Sequence, residues 1–218
     1  MLDLKDIKDE KFFLTIATPE VVSNLVVIHY GNFKYSPRKF KNIGNKNWNK
    51  PSGGLWTSPV DSTSSWKHFC DSEHFRECEE ENSFKLKFKY GTKIAIINSV
   101  KDLDNMPLQK VEEETPLNKF SRFLFKNIDF ELLVKIGVDA IWLTNEGQWQ
   151  TRFSQPINLY GWDCETVLIM NKKCVYEQIS RKVIFEKSKN NLNNEKKITY
   201  KKRVSRVKKR NKTNSRQT

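Results

Sequence analysis

Apolar and basic residues alternate from Phe84 to Tyr90, with Phe84, Leu86, Phe88 and Tyr90 on one face and Lys85, Lys87 and Lys89 on the other. A period of two over seven residues predicts a half-buried strand. Residues 21 to 30, ending in His29 and Tyr30, are rich in β-branched and apolar side chains and predict a buried strand that Gly31 and Asn32 break. Lys93 to Asn98 predicts a further strand, paired closely with the preceding one as a hairpin across Gly91-Thr92. Val138 to Leu143 and Cys164 to Asn171 predict two more. Helical signals are fewer. Ser62 to Ser65 offer N-caps for a helix over Trp66 to Glu81, with Trp66, Phe69 and Phe75 inward. Asp129 caps a short helix to Ile136, with Phe130, Leu133 and Val134 inward, and Gly137 stops it. Residues 33 to 50 read as a polar loop, 100 to 127 as a Pro-interrupted connection, and Glu146-Gly147-Gln148 as a turn. Strands in series with few helices between them imply an α+β domain with a curved, mostly antiparallel sheet.

Charge changes this picture at the C-terminus. The 218 residues carry a net +13. Residues 181 to 218 hold 15 Lys and Arg against 2 Glu, which leaves 24 of each sign before them. The division is therefore a neutral domain over 1–180 and a basic tail over 181–218. From about residue 188 the tail lacks the apolar content to offset chain entropy and is expected to be disordered. Lys201-Lys202-Arg203 and Lys208-Lys209-Arg210 are clusters able to meet the phosphates of a nucleic acid or an acidic protein, and a solubilising role is the alternative. The lysine face of the 84–90 strand admits the same two readings. No apolar run approaches a membrane span, and the N-terminus has no signal-peptide pattern, so a cytoplasmic, non-membrane, monomeric protein is expected. Cys70, Cys78, Cys164 and Cys174 form no CxxC pair and read as free thiols. Cys70, His74 and Cys78 at i, i+4 and i+8 of a helix diverge from a single tetrahedral ion, so no metal site is expected.

The chemistry gathers around Lys50-Pro51-Ser52-Gly53-Gly54-Leu55-Trp56-Thr57-Ser58-Pro59. Two glycines permit positive φ and close backbone approach, and an aromatic ring and two hydroxyls follow. No GxGxxG or GxxxxGK[ST] is present, so a bound nucleotide would be held some other way. Strand-borne His29-Tyr30-Gly31, then Gly53-Gly54-Leu55-Trp56-Thr57-Ser58, then a late-strand Glu165 resemble the ADP-ribosyltransferase superfamily. In that superfamily a first strand offers a His beside a Gly, a second segment an aromatic and a hydroxyl, and a late strand a catalytic Glu. Val138-Asp139-Ala140-Ile141 is similar to the strand that precedes that Glu. The strings around Gly53-Gly54 and Trp162-Asp163-Cys164-Glu165 are also similar to phage and bacterial proteins.

The resemblance implies an ADP-ribosyltransferase-like split sheet and NAD as substrate, with a nucleic acid or protein as acceptor. His29 would bind a ribose hydroxyl or the adenosine end, with Tyr30 and Gly31 beside it. Gly53 and Gly54 would offer amides to the carboxamide, Trp56 would stack on nicotinamide, and Ser58 would supply the hydroxyl. Glu165 would be catalytic, with Asp163, two residues before it on a strand, as its helper. Trp at 56 stands where the family has Tyr. A register one residue later puts Thr166 in the catalytic place and leaves an inactive relative. The second function class is a nucleic-acid-binding protein that uses the tail and the lysine-faced strand.

Overall fold

The strand that decides the architecture is Leu55–Pro59, which changes partner halfway along. A computed structural model describes residues 12–32, 34–46, 49–110 and 126–177. The chain divides into two units, Met1–Gln178 and Ile179–Thr218, and the second lies outside the described residues. So do the six basic side chains singled out between Lys201 and Arg210 and the expectation of disorder there.

Seven strands form one sheet: β1 (Val26–Tyr30), β2 (Leu55–Pro59), β3 (Ser83–Phe88), β4 (Ile94–Ile97), β5 (Ala140–Leu143), β6 (Thr166–Ile169) and β7 (Val175–Glu177). Their order is β4-β5-β6-β2-β1-β3-β7. Only β4 and β5 run parallel, and every other pair is antiparallel. The expected α+β class and mostly antiparallel sheet are what the chain forms. The expected pairing of the 84–90 and 93–98 strands is corrected, because β3 pairs with β1 and β7 while β4 lies at the far edge beside β5.

Two apolar layers sandwich the strands, and side-chain alternation sorts residues between them. Ile141, Leu143 and Leu168 join Phe130, Leu133 and Trp162 in one layer. Ala140, Val167 and Ile169 join Val27, Leu86 and Val175 in the other. β6 is buried on both faces, which is why it reads as a continuous apolar run with no period.

Five α-helices are described: α1 (Pro19–Asn24), α2 (Trp66–Ser72), α3 (Val100–Asp104), α4 (Phe130–Lys135) and α5 (Asn145–Thr151). Four depart from expectation. α3 lies in the 100–127 segment that reads as a connection, where Ser99 caps the Asp102 amide. Residues 21 to 24 belong to α1 rather than to a strand, because Thr18 caps the Val21 amide and Pro19 occupies the first turn. α2 stops at Ser72 instead of running to Glu81, and His74 takes φ 49°, so the helical Cys70-His74-Cys78 stack does not exist. Residues 146 to 148 form α5 rather than a turn. Thr144 caps the Gly147 amide, and a side chain at Gly147 would collide with the Ile97 carbonyl. In α4, Leu132 is buried while Val134, expected inward, is 37% exposed. All four cysteines are buried and free. Among the described residues no helix can cross a membrane, and no group of three or more His, Cys, Asp or Glu could hold a metal ion.

Candidate functional site

Leu55, Trp56 and Thr57 pair with β6, whereas Ser58 and Pro59 pair with β1. The sheet therefore parts beside Trp56 and Thr57, and His29 fills the opening. Its Nδ1 lies 2.8 Å from the Trp56 carbonyl oxygen. A carbonyl only accepts, so Nδ1 carries the proton and donates. Burial, the largest influence, lowers the His29 pKa against the opposing pull of that hydrogen bond, and the Arg76 guanidinium lowers it further. The ring is thus neutral at pH 7, with Nε2 as an acceptor. It packs on Phe84 at 5.1 Å between ring centres.

A cavity of about 230 Å³ opens at this point. His29, Tyr30, Trp56, Ser58 and Asp163 all line it, so five of the residues singled out in the sequence meet in one place. Lys50, Trp66, Arg76, Trp162, Cys164 and Thr166 also line it. Two of the three indoles carry a cation: Lys50 Nζ is 5.5 Å from the centre of Trp56, and the Arg76 guanidinium carbon is 5.6 Å from that of Trp66. Trp56 meets Trp162 edge to face at 4.8 Å. Lys50 Nζ donates to the Gly161 carbonyl at 2.9 Å, and Arg76 Nη2 to that of Tyr30 at 3.3 Å.

The Ser58 hydroxyl accepts from the Trp66 amide at 2.9 Å and so ties α2 to the cavity wall. The Cys164 thiol lies 3.6 Å from Thr166 Oγ1. Burial, opposed by the Thr166 and Ser58 hydroxyls, raises its pKa, so it is a thiol and not a nucleophilic thiolate at neutral pH.

Four other candidates lie elsewhere. Glu165 does not line the cavity. Its Oε1 accepts from Trp142 Nε1 at 2.9 Å, and its amide donates to the Ser64 carbonyl. Asp163 and Glu165 do not share a face, because β6 begins only at Thr166 and the residues before it are not extended strand. Strand alternation from that point turns Thr166 to the cavity. Gly53 and Gly54 hold φ of 73° and 65°, but the Gly54 amide donates to the Lys41 carbonyl at 2.9 Å and is not available to a ligand. Gly31 donates its amide to the Asn82 carbonyl and carries φ 113°.

Reading by motif missed Trp66 and Arg76. Trp66 followed the apolar helix pattern like any core residue, and Arg76 reaches the cavity only because α2 ends early and the chain turns back at His74. Lys50 could have been found, since it opens the Gly-Gly stretch. Thr166 was visible as the alternative register.

Comparison of the chain with protein-family models, curated proteins and solved structures found no match.

Proposed function

We propose that this protein binds an NAD-type dinucleotide at the parting of β1 and β2 and transfers its ADP-ribosyl group, as the superfamily it resembles does. One observation carries this reading. A single cavity is lined by three indoles, two cations, a neutral histidine with an acceptor nitrogen, and Asp163 as its one carboxylate among the described residues. Indoles stack flat heterocycles. Lys50 and Arg76 suit a pyrophosphate, and the planar Arg fork suits it in two bonds at once. His29 Nε2 suits a ribose hydroxyl.

Cleaving the nicotinamide–ribose bond sends its electron pair to the ring nitrogen, which loses its positive charge. The ribose then passes through an oxocarbenium-like state. A carboxylate beside C1′ stabilises that charge, and the acceptor attacks C1′ as its proton leaves. We assign this role to Asp163 in place of Glu165. Arg152 Nη2, 3.9 Å from Asp163 Oδ1, forms an ion pair that orients the carboxylate.

Nicotinamide release from NAD tests the assignment. Asp163→Asn is expected to lower it roughly a hundredfold or more. Glu165→Gln keeps an acceptor for Trp142 and is expected to change release less than about twofold. Release that survives Asp163→Asn and disappears with Glu165→Gln would overturn it. The position of Thr166 favours a second reading, in which the cavity binds the dinucleotide without cleaving it. Calorimetric binding of NAD with no nicotinamide release is the outcome expected of that reading.

A further inference from the structure

Beside the cavity, two aromatic rings are left in solvent. Phe153 is 72% exposed and Tyr160 59%, yet their ring centres are 5.6 Å apart at an interplanar angle of 49°. The Arg152 guanidinium carbon stands 5.8 Å from the centre of Phe153 and 5.2 Å from that of Tyr160. The same guanidinium reaches Asp163 in the cavity wall. Gly161, the next residue after Tyr160, lines the cavity and receives the Lys50 ammonium. An aromatic pair flanked by Arg152 thus sits one residue from a cavity whose wall carries Lys50.

Rings left in water are unfavourable unless a partner covers them. Paired aromatic faces with adjacent cations form the surface on which unpaired bases stack. The charge of the chain selects the partner. The net +13, carried by residues 181 to 218, favours a polyanion, and a polyanion that also offers flat π faces is a nucleic acid. A duplex hides those faces inside its stack and a single strand does not.

We propose that Phe153, Tyr160 and Arg152 form a stacking platform for a base of a single-stranded nucleic acid, and that this strand is the acceptor of the ADP-ribosyl group. Binding stands on the platform, and the acceptor role rests on the transferase reading above. In the transfer, an amine or hydroxyl of the strand forms the bond to C1′, nicotinamide leaves with the electron pair of the broken bond, and the acceptor proton passes to solvent.

The test uses the full chain and two labelled probes, an oligothymidine and a hairpin duplex of matched length, followed by fluorescence anisotropy across a salt series. Phe153→Ala with Tyr160→Ala is expected to weaken oligothymidine binding roughly tenfold to a hundredfold. The salt slope and the duplex affinity stay unchanged. Phe153→Tyr with Tyr160→Phe keeps both rings, controls for folding, and is expected to bind as the wild type does. Equal weakening on the duplex, or no weakening on the single strand, overturns the platform. So does displacement of the oligonucleotide by polyglutamate to the same degree from wild type and the Ala variant, because binding would then be charge alone. With NAD added, nicotinamide release without labelling of the strand overturns the acceptor role. Ring-dependent binding with no release at all would instead count against the transferase reading and leave the platform standing.

Discussion

At the scale of single residues, His29 shows how a fold retunes a side chain. Burial holds its pKa below the ordinary 6.5. On acidification the unfolded chain takes up this proton before the folded protein does. The stability tied to neutral His29 is therefore fully present above about pH 6.5 and is lost as the pH falls from there toward the folded-state pKa. The melting temperature is expected to decline as the pH falls below about 6.5, and His29→Gln is expected to remove part of that slope. Affinity for NAD should fall only toward the lower end of this window, as the folded-state ring itself takes up the proton, because a protonated Nε2 can no longer accept. A melting curve with the same pH slope in wild type and His29→Gln would rule this account out. Glu165 illustrates the opposite outcome. It is the residue type the resemblance requires, but its carboxylate accepts from Trp142 and its amide donates to Ser64, and it does not line the cavity.

At the scale of elements, the Gly53-Gly54 turn acts as a structural joint. A side chain at Gly53 would collide with the Asn42 carbonyl, and one at Gly54 would come within 2.8 Å of Leu168 Cδ1 and 3.0 Å of the Ile169 carbonyl. Both residues also hold positive φ. Gly53→Ala and Gly54→Ala are each expected to lower unfolding stability by about 2–4 kcal/mol in urea titrations, from backbone strain plus overpacking. Because β2 starts at the next residue, these variants should also weaken ligand binding by displacing Trp56. The loop before the turn is tied down by two asparagines. Asn45 Oδ1 accepts from the Phe130 amide at 2.9 Å, and Asn49 Oδ1 from the Ile128 amide at 2.7 Å. A segment that reads as aperiodic and polar thereby becomes the wall that carries Lys50 to the cavity.

At the scale of the whole molecule, charge and chemistry occupy different parts of the sequence. Residues 1 to 180 balance 24 basic against 24 acidic side chains, and the imbalance of +13 belongs to residues 181 to 218. Removing those residues is expected to flatten the salt dependence of nucleic-acid binding, since the slope counts the phosphates that cations neutralise. The preference for single strands over duplex should persist, because it depends on rings and not on net charge. Anisotropy measured at several salt concentrations on the full and the shortened chain checks both statements. An unchanged slope would show that the tail makes no phosphate contacts.

The sequence by itself determined the class of the fold and most of its strands. Alternation at Phe84–Phe88 and apolar runs at 94–97, 140–143 and 166–169 need only local periodicity and burial to be read. It also pointed to residues that the fold gathers, since His29, Tyr30, Trp56, Ser58 and Asp163 all line one cavity, while Gly31, Gly53, Gly54 and Glu165 do not. Tertiary structure alone decided the rest. The exchange of partners along β2 is long-range pairing, and no local pattern encodes it. The first residue of β6 sets which of Glu165 and Thr166 faces the cavity, because a shift of one residue turns every side chain to the other face. Arg76 and Lys50 enter the site through a helix that ends early and a loop pinned by asparagines. Such arrivals depend on where the chain returns in space, and the spacing of residues along it does not record that.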